Sequence, residues 1–320
     1  MLAQSTSGFG ISSYTQELMC YVGQQMVFEE GSEMFNKMKG VNISGKQIER
    51  VCHHYGGIIE EENQQLIETQ QSQTYTDEER NKLHYVMVDG SMYLTREEKW
   101  KEAKLGRVFK AEDDVAISYQ RNMITTSTYI AHLGNQKEFF PKLEYHIDEL
   151  RSLAIIADGA KYIWSWADTF YPDATQILDF FHAKEHLCAF AINYFKDTQE
   201  REQWIECYCK IMMEDDAGKV IKALEKLPKV SDNAIEKQKQ TLIRYYRANL
   251  HRMRYSTFKK RGLLIGSGPI EAAHRNVLQQ RMKLSGQRWT KKGFQQVANL
   301  RVVKKSNQWN RISELIKKAA

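Results

Sequence analysis

Three acidic residues, each in a different setting, are the groups in this chain best suited by type and spacing to do chemistry. Asp89 ends the apolar run His84-Tyr85-Val86-Met87-Val88, and Asp158 ends the run Leu153-Ala154-Ile155-Ile156-Ala157. Glu271 stands far downstream, in a segment that otherwise almost lacks acid. An apolar run with a carboxylate at its C-terminal end reads as a buried strand that delivers a charge to a sheet edge. Asp89 and Asp158 are therefore candidate ligands on adjacent strands, and Glu271 a third carboxylate supplied by a helix. A bare carboxylate pair ~4 Å apart repels by roughly 4 kcal/mol at an effective dielectric near ~20, so their convergence is cheap only around bound metal. Mg²⁺ or Mn²⁺ prefers carboxylate oxygens and keeps positions open for water and phosphate. Two such ions ~3.5–4 Å apart clamp the attacking and leaving oxygens of a displacement at phosphorus. The expected chemistry is metal-dependent phosphodiester cleavage. A lone Asp after an apolar run more often makes a turn or caps a helix, so the weight rests on the set.

A sheet has to hold the two aspartates. Strand-like runs cover His84–Val88, Gly106–Lys110, Val115–Tyr119, Leu153–Ala157 and Ala174–Leu178, with an amphipathic helix over Phe139–Leu150. The order predicts a mixed sheet with helices against it. From His182 to Phe258 the pattern is helical: Leu187, Phe190, Ala191 and Tyr194 share one face, and Trp204, Tyr208 and Ile211 form another stripe. Gly266-Ser267-Gly268-Pro269 then breaks the chain. Pro269 suits the first helical position, which places Glu271 in the first turn of a new helix. Near the start, Tyr14–Phe28 has apolar residues at helical spacing, and Glu33–Met38 continues the pattern. Ser44 with Gln47 three residues on has capping-box spacing and opens a second helix. Helix, short turn and capped helix are compatible with a DNA-reading helix-turn-helix, although such pairs are common without that role. Residues 60–80 read as a polar helix or linker.

Charge is distributed unevenly. From Lys237 onward 21 Lys and Arg stand against two acids, a net +19, whereas the first 236 residues hold 25 bases and 38 acids, a net −13. Such asymmetry marks a polyanion-facing portion, or more blandly a lysine-rich solvated helical face. No apolar stretch reaches the ~18 residues of a membrane span. The start Met1-Leu2-Ala3-Gln4-Ser5 lacks the basic-then-apolar layout of a secretory leader. Five scattered cysteines argue against a disulfide framework, and the cytosol, with its nucleoid, is the expected location.

The series Val88-Asp89-Gly90, Ile156-Ala157-Asp158-Gly159-Ala160 and Ile265-Gly266-Ser267-Gly268-Pro269-Ile270-Glu271 resembles the catalytic core of bacterial insertion-sequence transposases of the DDE class. The resemblance is to the Kra-type group, related to Mutator-like enzymes. Asp179-Phe180-Phe181-His182 is similar to the Asp/Cys-x-x-His motif that follows the second Asp in Mutator-like and hAT-like enzymes. Arg281-Met282-Lys283-Leu284-Ser285-Gly286-Gln287-Arg288-Trp289 resembles the Arg-Met…Gly-x-Arg-Trp segment downstream of the catalytic Glu. The likeness spans roughly residues 84–300.

This resemblance implies a ribonuclease-H-like mixed sheet over residues 81–182 and 262–300, interrupted by an all-helical insertion over 183–261. A small N-terminal helical region and linker (1–80) would precede it, and a basic tail helix (301–320) would follow. Asp89, Asp158 and Glu271 would hold two Mg²⁺ or Mn²⁺ ions for cleavage at transposon ends and strand transfer by the freed 3′-hydroxyl. His182 would support the site or contact phosphate, with Asp179 beside it; the alternative for His182 is a capped histidine at a strand–helix junction. Arg281, Lys283, Arg288, Trp289, Lys291 and Lys292 would face DNA, as would Lys46 and Arg50 of the N-terminal helical pair, giving salt-dependent, sequence-blind affinity. Acting on two ends implies a homodimer or higher oligomer on DNA, with no membrane partner. Many members of that group carry a longer N-terminal region than this chain, so a truncated copy is one expectation.

Cys52-His53-His54 and Cys207-Tyr208-Cys209 lack the spacing of a zinc finger or ribbon. His182 and His186 at i,i+4 lack the adjacent Glu of a zincin. The rival functional readings are a catalytically silent DNA-binding derivative of such an enzyme and a host nuclease of the same fold.

Overall fold

The computed structural model describes residues 8–119 and 121–319, so the Met1–Ser5 segment discussed above lies outside the described residues. It is a mixed α/β protein. Five strands form one mixed sheet in the order β5-β2-β1-β6-β7, and β3 and β4 pair separately. Two compact units make up the chain: the first takes it up to Ser152 and again from Ile270, and the second is Leu153–Pro269. No helix among the described residues is long and apolar enough to cross a membrane.

In the first unit, α1 (Ser13–Gln25), α2 (Phe28–Lys39) and α3 (Gly45–Glu68) precede the short α4 (Asp77–Asn81). The expected capping box at Ser44 is present: its side chain accepts from the Gln47 backbone while the Gln47 side chain accepts in return. Because α3 runs on to Glu68, much of the polar 60–80 stretch is helix. The strands follow: β1 (Leu83–Thr95), β2 (Lys99–Lys110), β3 (Asp114–Ser118), β4 (Arg121–Ile124) and β5 (Thr128–Leu133), then α5 (Gln136–Glu144). β1 continues six residues beyond Asp89, correcting the reading that the apolar run ends the strand. Gly90 and Ser91 do not break it because β2 supplies a partner for every residue, with Asp89 opposite Leu105 and Thr95 opposite Lys99. β5, absent from the sequence reading, pairs antiparallel with β2 and places Ala131 opposite Leu105.

Past the second unit, the chain returns as α12 (below), a π turn over His274–Gln279, the short α13 (Gln280–Met282), α14 (Lys291–Lys305) and α15 (Asn310–Lys318). Met19, Ile48, Val51 and Tyr55 share a buried cluster with Leu300, Val303 and Ile312, so the N-terminal helices and the last two helices have one core.

The second unit opens with β6 (Ser152–Ala157), α6 (Lys161–Phe170) and β7 (Thr175–Leu178). β6 and β7 are parallel and in register, with Ala157 opposite Leu178. Five helices follow, as the long helical pattern predicted: α7 (Phe180–Tyr194), α8 (Thr198–Met213), α9 (Ala217–Lys226), α10 (Asn233–Asn249) and α11 (Tyr255–Lys260). The segment closes with the start of α12 (Gly268–Ala273), where Pro269 occupies the second helical position. Arg252 ties the strand pair to the helices: Nε donates to Gln176 Oε1 at 2.7 Å, Nη2 to Asp168 Oδ1 at 2.6 Å, and the guanidinium lies 4.4 Å from the Trp164 ring centroid.

Candidate functional site

The parallel register of β6 and β7 decides where the second unit's acids go. With Ala157 opposite Leu178, the next residue on each strand is an aspartate, Asp158 and Asp179, at the carboxyl edge where open α/β sheets bind ligands. The Asp179 backbone N–H donates to Ala157 O at 2.9 Å, which holds the two strand ends side by side. Asp158 is half-buried; its Oδ1 accepts from the Ala160 amide at 3.0 Å, and its carbonyl accepts from Trp164 Nε1 at 2.7 Å. None of the described residues donates to its Oδ2.

Asp179 is completely buried and caps α7, with Oδ1 accepting from Phe181 N at 2.7 Å and Oδ2 accepting from Ser267 Oγ. One turn along α7, His182 brings Nε2 to 3.9 Å from Asp179 Oδ2 and Nδ1 to 3.2 Å from Glu185 Oε2. The strand–helix junction reading of His182 fits the geometry: Asp179 is the N-cap of the helix, and His182 lies in its first turn with Glu185 as its nearer acidic neighbour.

Tyr245 packs over this edge. Its hydroxyl has no hydrogen bond, and burial, then the charges of Asp158 and Asp179, push its pKa up. Gly159 is the residue that admits it, since a Cβ there would sit 1.9 Å from Tyr245 Cε2. The His186 ring lies 4.6 Å from that of Tyr245.

The first unit carries a second acidic group. Asp89 sits mid-strand, half-buried, with Oδ1 accepting from its own neighbour Gly90 N at 2.7 Å. Its Oδ2 lies 3.6 Å from Nε2 of His274, a buried ring whose nitrogens find no close hydrogen-bond partner among the described residues. Burial lowers the pKa of His274, against the opposing pull of Asp89. His274 begins the π turn, a rare geometry that often marks functional positions. Glu271 lies three residues earlier, exposed and in the first turn of α12 as expected, so helical spacing puts the two on one face. Asp89 and His274 thus face each other on the first unit, with Glu271 one helical turn before His274, and Asp158, Asp179 and His182 lie along one edge of the second.

His274, Ser267 and Tyr245 were not identified from sequence. A histidine one helical turn after the expected Glu was a usable signal, but a lone histidine on an apolar face is usually core. Nothing in the sequence marks Tyr245 or Ser267 apart from other residues of their type.

The expected DNA-facing residues divide. Lys46, Arg50, Lys283, Arg288 and Lys292 are exposed. Lys46 pairs with Glu49, and Lys291 pairs with Glu98 while its amide donates to Glu97. Arg281 and Trp289, expected on the DNA face, are instead buried at 1% and 7% exposure. The physical reason is mutual: the Arg281 guanidinium lies 4.8 Å from the Phe28 ring centroid and 5.1 Å from that of Trp289, and Trp289 Nε1 donates to Met282 O. Cys52 is in the helical core with its thiol directed to Met19 O.

The family model described as "Uncharacterised protein family (UPF0236)" matches residues 28–319, and the chain belongs to that family. No curated protein matches the sequence.

Proposed function

We propose that this UPF0236 chain is a DNA transposase that cleaves transposon ends and joins the freed 3′-hydroxyl to target DNA in a metal-dependent reaction. The observation that carries the proposal is the parallel, in-register pair β6–β7, which delivers Asp158 and Asp179 to one carboxyl edge with His182 a turn beyond. Asp158 is the proposed metal ligand of the second unit, and Asp89 and Glu271 are the proposed metal ligands of the first. The donor chemistry suits the ion: carboxylate oxygens match Mg²⁺ or Mn²⁺, and Asp158 Oδ2 is uncommitted among the described residues. When bound, such ions polarise the phosphoryl oxygens and lower the pKa of a water.

The chain's own residues do the remainder. Asp179, with both oxygens hydrogen-bonded, positions His182 to contact a phosphate oxygen. Tyr245 and Gly159 cover the edge and limit water on that side. On this reading the mixed sheet is a ribonuclease-H-like core over residues 81–182 and 262–300, residues 183–261 are its helical insertion, and residues 1–80 are a DNA-binding region. The protein would act as a homodimer or higher oligomer on the bacterial nucleoid.

The test is nicking of a supercoiled plasmid carrying inverted repeats, with Mg²⁺, Mn²⁺ or EDTA. Asp158→Asn and Asp89→Asn should each abolish cleavage, weaken Mn²⁺ binding followed by electron paramagnetic resonance, and leave DNA binding in place. Cleavage at full rate in either variant refutes the ligand assignment. DNA binding without any cleavage by the unmodified chain would make it a silent derivative, and cutting without joining a host nuclease.

A further inference from the structure

Two buried arginines of the first unit make an instructive pair. Arg301 is wholly enclosed and nearly saturated: Nε donates to Val277 O, Nη1 to Gln24 O at 2.5 Å, and Nη2 to Asn276 O at 2.7 Å. Arg281 is equally enclosed, yet among the described residues only its Nε is hydrogen-bonded, donating to Gly23 O at 3.0 Å, while Nη1 and Nη2 find no hydrogen-bond acceptor there. A buried guanidinium with two idle donor nitrogens is costly unless an anion completes it.

Arg281 lines a cavity of about 190 Å³ that offers such a place. Arg96 and Arg288 line it too, both exposed, and so does His53, whose buried Nε2 has no partner. The sole carboxylate in the lining, Glu49, is already paired with Lys46 at 2.7 Å. Thr290 and Gly293, the N-cap and first turn of the 15-residue α14, form another wall, so the positive end of a helix faces the space. Gly293 is required there, because a Cβ would lie 2.8 Å from Thr290 Oγ1 and 3.2 Å from His53 Nε2. The wall is pinned: Arg96 N donates to Trp289 O at 2.8 Å and Trp289 N to Leu94 O at 3.1 Å, which fastens the arginine-bearing loop to the β1–β2 hairpin. A wider cleft of about 740 Å³ shares His53 and is lined by Arg50, His54 and Lys292, and also by Glu61 and by Glu60, the latter paired with Lys142.

We infer that this cavity binds one phosphate group of a nucleic-acid strand, whose neighbouring phosphates follow the cleft past Arg50 and Lys292. Arg281 supplies the fixed donors at the bottom, Arg288 and Arg96 close over the phosphate, and the α14 N-terminus adds its dipole. The strand as the source of the phosphate rests on the DNA reading above; the cavity's unmet donors do not.

The full chain is heated with about 10 mM inorganic phosphate or with chloride of equal ionic strength, and its binding to a labelled oligonucleotide is followed by anisotropy across salt concentrations. Phosphate should raise Tm by about 2–4 °C, an increment lost in Arg281→Met and reduced in Arg288→Ala. Each variant should bind the oligonucleotide roughly tenfold more weakly, with the salt slope smaller by about one. Arg288→Ala removes an exposed side chain and keeps the test decisive if Arg281→Met does not fold. No phosphate-specific rise in Tm overturns the site. A rise with oligonucleotide binding unchanged in the folded variants overturns the strand as its occupant. Neither measurement needs metal or cleavage, so this inference and the proposed activity fail separately.

Discussion

Asp179 in the second unit and His274 in the first are both buried, and each lies three residues along a helix from a candidate ligand, His182 in one case and Glu271 in the other. Their surroundings differ. Asp179 accepts from a backbone amide and a serine hydroxyl, and its own amide is tied to β6. His274 has Asp89 at 3.6 Å, and its ring nitrogens make no close hydrogen bond among the described residues. Folding therefore saturates the buried group of the second unit, whereas that of the first is left with a long contact to a carboxylate. A saturated group supports structure; an unsatisfied one persists because something outside the fold uses it.

If that contrast is real, the two halves should respond oppositely to mutation. The largest effect belongs to Asp179→Ala. It removes a helix cap, about 1 kcal/mol, and the buried hydrogen bond from Ser267 Oγ, about 1–3 kcal/mol more. Denaturant unfolding should show a loss near 3 kcal/mol; a loss under 1 would break the comparison. Next is the acid response. Burial, reinforced by the Lys142 charge, lowers His132 to about 4, and burial lowers His146 to about 4. Both lie in the first unit, whereas the lowered histidines of the second, His186 and His251, are exposed. The unfolded chain binds these two protons near pH 6.5 and the folded chain only near 4, so stability is lost as pH falls between those values. The loss should reach ~2–3 kcal/mol per ring, and His132→Gln should flatten the unfolding-against-pH curve. Gly159→Ala comes third: the new methyl meets the Tyr245 ring and should cost about 1–3 kcal/mol by thermal melt, with Tyr245→Ala relieving the clash part of it.

How much of this was legible beforehand follows from the same contrast. Asp158 at a strand end, Asp179 beside a helix start, Glu271 in a first helical turn and the Ser44–Gln47 cap were all readable, because local signals set them: an apolar run, a capping residue, a proline. Where partners distant in sequence decide, the reading ran short. The apolar run of β1 stops at Val88, and only pairing with β2 carries the strand on to Thr95. β5 was passed over as Thr-Tyr-Ile-Ala-His-Leu is short and follows polar residues; it is a strand because β2 offers it an edge. The C-terminal charge excess was read as surface, yet Arg252, Arg281 and Arg301 are buried. Composition counts charges without knowing which will find carbonyls or aromatic rings.

The smallest expected effect is the sharpest probe of the difference. His274→Leu removes a ring whose nitrogens make no close hydrogen bond among the described residues, so apart from packing only the long contact with Asp89 is lost. Replacing an unsatisfied buried polar group by an apolar one is close to neutral, and the stability change should stay within about 1 kcal/mol in a denaturant melt. Were His274 a structural element like Asp179, the same change would cost about as much as Asp179→Ala. Plasmid nicking supplies the second axis: a chain that is as stable as the parent but has lost cleavage would place the His274 ring in the reaction rather than in the scaffold. Stability and cleavage both unchanged would show that the unpartnered ring is tolerated rather than used, and the distinction between the two halves would disappear.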